Sequence, residues 1–276
     1  MNAINIQKNE RQIATWLFIG VGMIMIQVVL GGITRLTESG LSITEWKPIT
    51  GALPPLTDTA WQAEFDKYRH TDQFRFVHTD FSLRDFKFIF FWEWFHRLWA
   101  RMMGMVFLIG FIYFLVKRKM NRDMVMPMIL LFVLGGLQGA IGWIMVKSGL
   151  VPEMYFVGHV ELTTHFMAAM CLLVYTFWFA LKLSVKKTIL INDSSTRRYL
   201  IALLCLLLIQ LVYGGFMAGL KAAQSAPTWP SINGQWIPKL CKQNLQVPFI
   251  HLNIPYYSVY SDEQNLQVQF IHRGLG

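Results

Sequence analysis

The sequence predicts an all-α membrane protein: a polytopic helix bundle built as a parallel repeat of four-helix units, of which the second is incomplete. Three observations predict it. Of the 276 residues, 54% are hydrophobic and only 15% are charged. The apolar residues are gathered into runs of roughly twenty, the length that crosses a bilayer as a helix. One such run, together with the loop after it, recurs later in the chain.

Five complete spans and the beginning of a sixth can be placed along the chain. They cover about Ile13–Ile33, Phe88–Val116, Met124–Val146, Met154–Leu181 and Tyr199–Leu220, with the sixth starting near Val268. The connections 117–122 and 182–198 are rich in Lys and Arg, so the positive-inside rule places them and the N-terminus in the cytoplasm and the long loop 34–87 outside. These loops also account for the net charge of +9, which therefore does not indicate nucleic-acid binding. The expected location is a bacterial plasma membrane.

The long outer loop is expected to be folded. Thr59-x-x-Gln62 resembles a capping box in front of a short amphipathic helix, and Ser82 with Asp85 is expected to cap the second span. His70 and His78 are interpreted as solvated loop residues. This helix is expected to lie on the membrane surface, against lipid, where it either roofs the bundle or gates entry to it.

The repeat has a fixed offset of 183 positions, and it divides the chain. Gln27, Val29, Gly31 and Gly32 recur as Gln210, Val212, Gly214 and Gly215, and the match continues without a gap into the next loop. We therefore predict an N-terminal four-helix half, 1–198, and the start of a second half, 199–276. The second copy should need further helices beyond Gly276.

A shorter repeat points to one histidine. QNLQVPFI precedes His251 and QNLQVQFI precedes His272. Only His272 is followed by arginine, as His96 is, and Pro248 would break a helix before His251. His272 is therefore the predicted functional histidine of the second half.

The candidate site lies on the second span, where Glu93, His96, Arg97 and Arg101 interrupt an apolar run. Each charge inside a bilayer costs roughly 2.5–3.5 kcal/mol on insertion scales, so such residues usually serve a partner or a cofactor. Glu93 and His96 share a helix face. His165, on the fourth span, is expected at a similar depth, and two facing imidazoles can ligate a heme iron.

The small residues and the arginines near these histidines also suit a heme. Ala100 and Gly104 follow His96 at helical spacing and leave room for a porphyrin, and Arg97 and Arg101 are candidate partners of its propionates. Other interpretations remain: packing histidines, a bis-histidine heme electron carrier, or a parallel-repeat transporter. A di-iron site would require more carboxylates than the bundle offers.

Five long motifs resemble the heme A synthase family over nearly the whole chain. They are GGITRLTESGLSITEWKPITGALPP at 31–55, WEWFHRLWAR at 92–101, QGAIGWIMVKSGL at 138–150, MAGLKAAQSAPTWPSINGQWIP at 217–238 and QFIHR at 269–273. Loop 34–87 lacks the cysteine pair of one branch of that family. The resemblance implies eight helices in two four-helix halves, in agreement with the repeat.

The resemblance also implies an activity and roles for residues. The family is a membrane oxidoreductase that oxidises the C8 methyl of heme O to the formyl group of heme A, for terminal oxidases, with a bound heme b taking part in electron delivery. His96 and His165 match the histidines of the heme O site, Glu93 the essential carboxylate, and His272 one heme b ligand. The other heme b ligand belongs to an eighth helix, so this chain is expected to be inactive alone. Heme O synthase and oxidase assembly factors are candidate partners, and the electron donor is not identified.

Overall fold

The computed structural model describes residues 3–47, 50–185, 193–237 and 262–275, with the side chains of 7–47, 50–185, 193–237 and 264–275. Within these ranges it contains eight α-helices: α1 Ala3–Leu36, α2 Asp58–Arg69, α3 Asp72–Phe76, α4 Leu83–Val116, α5 Arg122–Ser148, α6 His159–Ser184, α7 Ser194–Gly219 and α8 Asp262–Leu275. Short 3-10 turns cover Thr50–Ala52 and Ala222–Gln224. His251 and its preceding repeat lie outside the described residues.

Five of the described helices are long and apolar enough to cross a membrane, namely α1 from Gln7 onward, α4, α5, α6 and α7. This confirms the predicted helical membrane bundle, and the chain is a multi-pass membrane protein. Its orientation in the membrane and the division at 198/199 stay predictions.

Several helix ends differ from the prediction. The cap of α2 is Thr57, whose hydroxyl accepts from the Ala60 amide, so the prediction of Thr59 is wrong. Thr57 has the extended backbone that a capping residue needs, whereas Thr59 already lies inside the helix. The predicted cap of α4 is confirmed, because Ser82 and Asp85 exchange side-chain and backbone hydrogen bonds.

Two other helices begin at residues that differ from the prediction. The fourth span begins at His159 rather than Met154, because a turn occupies the intervening residues and its Gly158 amide donates to Ser148 Oγ. The last helix begins at Asp262, earlier than the predicted Val268. The segment 262–267 is polar, so hydropathy does not mark where α8 begins. The segment 154–158 is apolar, so its hydropathy does not reveal that the chain is not yet helical there.

Residue contacts divide the chain into two units, and the first comprises 1–143 and 168–190. Its core lies where α1, α4, α5 and the second half of α6 meet, and contains Ile13, Leu17, Phe114, Met128 and Phe179. The Trp16 indole stacks on Phe107, with ring centroids 5.1 Å apart. Aromatic packing of this kind adds to burial in fixing how α1 and α4 cross.

The long loop between α1 and α4 folds against the start of α4. A helix of 34 residues is about 51 Å long, whereas the hydrocarbon core is about 30 Å thick, so α4 has turns to spare outside the lipid. Phe65 and Tyr68 of α2 pack on Phe86 and Phe90 of α4. The predicted amphipathic helix therefore exists, and its apolar face covers α4.

His78 is buried, which overturns the expectation that it is solvated. Its Nδ1 lies 2.6 Å from the Tyr68 hydroxyl, its Nε2 lies 3.3 Å from a carboxylate oxygen of Glu38, and its ring stacks on Phe81. Burial raises the pKa of Tyr68 above its ordinary value, so the phenol remains a hydrogen-bond donor. The reason for the wrong expectation is tertiary: Glu38 at the end of α1 supplies a partner that the local sequence around His78 does not reveal. His70 is exposed, as expected.

The second unit comprises 144–167 and 191–276. In it, the first turns of α6 cross the last turns of α7 closely, since a Cβ on Gly215 would lie 2.7 Å from Thr163 Oγ1 and one on Gly219 would lie 2.6 Å from His159 Cβ. Only glycine permits this approach, as in small-residue crossings of membrane helices. The last helix, α8, packs on α7 and on the turn Ala222–Gln224.

Candidate functional site

Glu93 is the centre of the site. It lies inside α4, and only 2% of its surface is exposed. Its Oε2 accepts hydrogen bonds from Ser42 Oγ at 2.7 Å and from the Ile43 amide at 2.8 Å, and its Oε1 accepts one from Arg97. All three described partners are donors, so the geometry suits a carboxylate held at one fixed position.

The segment after α1 supplies two of these donors, and its path explains why. The chain leaves α1 through Glu38, whose positive φ of 56° reverses its direction. The Ser39 amide then bonds the Thr34 carbonyl, and the Ser42 amide bonds the Ser39 carbonyl. Ser39 and Ser42 are buried as a result. This compact turn brings a hydroxyl and an amide to the side of α4.

Arg97 and Arg101 both donate to carbonyls of the loop between α1 and α4. One guanidinium nitrogen of Arg97 reaches Glu93 and also lies 3.3 Å from the Ile43 carbonyl. Arg101 donates to the Lys47 carbonyl at 3.1 Å. The pair Glu93–Arg97, at i and i+4, compensates charge within the helix.

His96 lies one turn beyond Glu93 and faces α1. A Cβ built on Gly31 would lie 3.4 Å from His96 Nε2. The backbone carbonyl of His96 accepts from the Gln27 side chain at 3.2 Å. Beyond it on α4, Ala100 is exposed, and a Cβ on Gly104 would meet no described atom within 4 Å. Space is thus open along this stripe.

His272 has an equivalent setting in the second unit. A Cβ on Gly214 would lie 3.3 Å from its Cε1 and 3.9 Å from its Nδ1. This Nδ1 is buried and has no hydrogen-bond partner among the described residues. The neighbouring Arg273 donates to the Ala226 carbonyl at 2.7 Å and to the Thr228 carbonyl at 2.6 Å.

The structure brings Glu93, His96, Arg97 and Arg101 together on α4. His165 lies partly buried on α6, in the second unit, as does His272 on α8. The position that corresponds to Glu93 holds Gln269, three residues before His272 as Glu93 is three residues before His96. Gln269 is fully buried and donates to the Ala222 carbonyl.

Sequence reasoning missed Ser42, Ile43 and Gln269. Ser42 carried a signal, because it recurs as Ser225 at the offset of 183 positions. The Ile43 contact is made by a backbone amide, which no residue pattern reveals. Gln269 stood inside the quoted motif QFIHR, but its role becomes visible only when the two histidine-arginine pairs are aligned.

Comparison with known proteins identifies the family of this chain. The family model COX15-CtaA, described as cytochrome oxidase assembly protein, matches residues 14–276. A heme A synthase of Flavobacterium psychrophilum is 39% identical over 269 residues, covering 91% of this chain and 78% of the relative. Heme A synthases of Parvibaculum lavamentivorans and Paracoccus denitrificans are 44% and 43% identical, over 83% and 82% of this chain.

The chain spans 66% and 61% of the lengths of the latter two relatives. No solved structure matches it.

Proposed function

We propose that this chain, which belongs to the COX15-CtaA family of cytochrome oxidase assembly proteins, is an oxidoreductase that converts heme O into heme A. The reaction oxidises the C8 methyl group of the porphyrin to a formyl group. The observation that carries the proposal is Glu93: a buried carboxylate fixed by three donors, one helical turn from His96. A packing histidine or a simple heme carrier would not require such a group.

The residues present suit a heme. Ala100 and Gly104 leave open space beyond His96 on α4, and Gly31 places no side chain beside its Nε2. The buried Nδ1 of His272 has no protein partner among the described residues, which suits an imidazole whose ring serves a ligand. We assign His96 and His165 to the substrate heme O and His272 to heme b; the assignments of His165 and of heme b rest on the family resemblance.

A heme iron, when bound, supplies the oxidising power that an unreactive methyl C–H bond needs. The protein's own groups position the heme and stabilise charge that develops on it. Glu93 is held by Ser42 and the Ile43 amide, so its negative charge is preorganised and can stabilise positive charge that develops at the oxidised methyl. Because Arg97 already occupies Oε1, we favour this electrostatic role over proton shuttling.

Arg97 and Arg101 would hold the propionates, since guanidinium groups at the edge of an apolar site attract carboxylates. In this structure each also bonds a loop carbonyl, of Ile43 or Lys47. Binding of the propionates would therefore affect the same arginines that bond the loop.

Heme O synthase and oxidase assembly factors are proposed partners. The proposed location is a bacterial plasma membrane with the N-terminus in the cytoplasm.

The test is pigment analysis of the purified chain from cells that make heme O, comparing wild type, Glu93→Gln and His96→Ala. Contrary to the expectation that the chain is inactive alone, wild type should carry heme O together with hydroxylated or formyl derivatives, because Glu93, His96 and the donors to Glu93 all lie within the first unit. Glu93→Gln keeps the shape of the side chain but removes its charge, so it should retain heme O while the oxidised products fall by about a hundredfold or more. His96→Ala should lose heme O.

Three outcomes contradict the proposal. Heme B as the sole pigment would indicate an electron carrier, and normal amounts of oxidised product in Glu93→Gln would remove the role of Glu93. Absence of any heme would favour the transporter interpretation.

A further inference from the structure

In both units the same repeated glycine faces the same repeated histidine. Gly31 recurs as Gly214, and the dipeptide His96-Arg97 recurs as His272-Arg273. A Cβ on Gly31 would lie 3.4 Å from His96 Nε2, and one on Gly214 would lie 3.3 Å from His272 Cε1. The two contacts belong to separate units and are therefore independent observations.

The arginine beside each histidine explains how the contact recurs. Arg97 donates to the Ile43 carbonyl at 3.3 Å, and Arg273 donates to the Ala226 carbonyl at 2.7 Å. Ile43 and Ala226 are themselves equivalent, being separated by the repeat offset of 183 positions. Each histidine helix is thus tied to the loop after the glycine helix at the same place. This tie fixes the rotation of the helix and turns the imidazole toward the glycine.

Helix packing does not explain Gly31. A glycine inside a helix costs roughly 0.5–1 kcal/mol relative to alanine, so its presence needs a reason. Within 4 Å of its would-be Cβ the structure places only one described atom, the imidazole nitrogen, and no backbone of another helix. Adjacent Gly32 meets no described atom within 4 Å. Gly31 is half-buried and lies beside a candidate iron ligand, whereas Gly32 is exposed.

We propose that Gly31 and Gly214 are positioning residues that keep the helix surface beside the ring nitrogens of His96 and His272 free of side chains, so that each imidazole can reach a heme iron. The proposal rests on the proposed heme function. A methyl group at position 31 would fill space against Nε2 that the porphyrin face or the turning ring needs. The glycines act through the histidines and touch no reacting atom.

The test measures heme binding by the purified full chain, not turnover. Hemin is titrated into wild type and into a His272→Ala parent, which lacks the second site. The same titration is made with Gly31→Ala in that parent, and with Gly32→Ala in that parent as the control. Gly31→Ala should weaken binding about tenfold or more, the size of effect typical when groups that orient a metal ligand are disturbed. It should also shift the Soret band away from the histidine-ligated form. Gly32→Ala should match its parent.

A double-mutant comparison isolates the mechanism. If Gly31 acts through His96, then Gly31→Ala added to His96→Ala should change the affinity no further. Gly214→Ala, tested with His272 intact and His96 replaced by alanine, should repeat the result in the second unit. Thermal unfolding of each apo variant shows whether the fold is retained, and Gly32→Ala reports the general cost of an added methyl.

The outcomes separate this proposal from the proposed function. If wild type binds no heme, both are overturned. If wild type binds heme and Gly31→Ala binds as tightly as Gly32→Ala, the role of the glycine is wrong while the proposed function stands. If Gly31→Ala weakens heme binding to the same extent without His96, the role of the glycine is also wrong, because the methyl would then act on the heme or the helix directly.

Discussion

Glu93 shows how a charge can be kept inside a membrane helix. Removing one partner of a buried ion pair is costly, because it leaves the other charge uncompensated. Here the compensation comes from two directions: Arg97 from the same helix, and Ser42 with the Ile43 amide from the outer loop. The loop is therefore part of the site and not only a cover over the bundle.

Ser42→Ala tests this contribution of the loop. A hydrogen bond to a charged group contributes about 1.5–3 kcal/mol, so losing it should lower oxidation of heme O by roughly ten- to a hundredfold. Heme O content should stay unchanged, because Ser42 contacts the carboxylate and not His96. Product and bound heme O are measured in the same purified sample.

Ser225→Ala is the matched control for Ser42→Ala. Ser225 holds the equivalent repeat position, but its hydroxyl accepts from Asn265, and no hydrogen bond joins it to a carboxylate among the described residues. Its replacement should leave oxidation near the wild-type rate. Equal losses in the two variants would show that the serines support the loops alone and that Ser42 does not position Glu93.

At the scale of the helices, glycine has two distinct uses. Gly110 of α4 is required for packing: a Cβ there would lie inside the Trp16 indole of α1, whose Nε1 bonds the Val106 carbonyl. Gly215 and Gly219 similarly admit α6. By contrast, an added Cβ on Gly135, Gly136 or Gly139 of α5 would meet no described atom within 4 Å.

Gly110→Ala should destabilise the protein. Overpacking a well-filled contact costs about 1–3 kcal/mol, more than alanine gains over glycine in a helix. Gly22→Ala on α1, where an added Cβ meets nothing within 4 Å, should be neutral or stabilising by up to about 1 kcal/mol. Thermal unfolding of the detergent-purified variants compares them. If Gly110→Ala were as stable as Gly22→Ala, Trp16 would not be packed as described.

Hydropathy and capping residues predicted the helices well, and they predicted the contacts poorly. All five spans and the Ser82 cap were recoverable, because each depends on local pattern. His78 and the Ile43 amide were not, since their partners Glu38 and Glu93 are distant in sequence and one of the contacts uses backbone. Glu93, His96 and Arg97 were recoverable because charge inside an apolar run is conspicuous.

At the scale of the whole molecule, the repeat shows which features the two units share and where they differ. The units share the glycine–histidine contact and the arginine–carbonyl tie. They differ where Glu93 is replaced by Gln269, whose amide donates to a carbonyl instead of accepting from three donors. A negative charge is thus present in the first unit and absent at the equivalent place in the second. This asymmetry supports the proposal that oxidation takes place in the first unit and electron transfer in the second.

The orientation of the whole chain is the remaining prediction, and it decides from which side heme and electrons arrive. Cysteines at Asp58, which is exposed on α2, and at Lys117, which is exposed after α4, report opposite sides of the membrane if the basic loops are cytoplasmic. In a background with Cys171, Cys205 and Cys241 replaced by serine, Asp58→Cys should react with a membrane-impermeant maleimide in intact cells. Lys117→Cys should react only after the membrane is opened. The reverse pattern would place the Glu93 loop in the cytoplasm and overturn the assignment of its donors to the outer face.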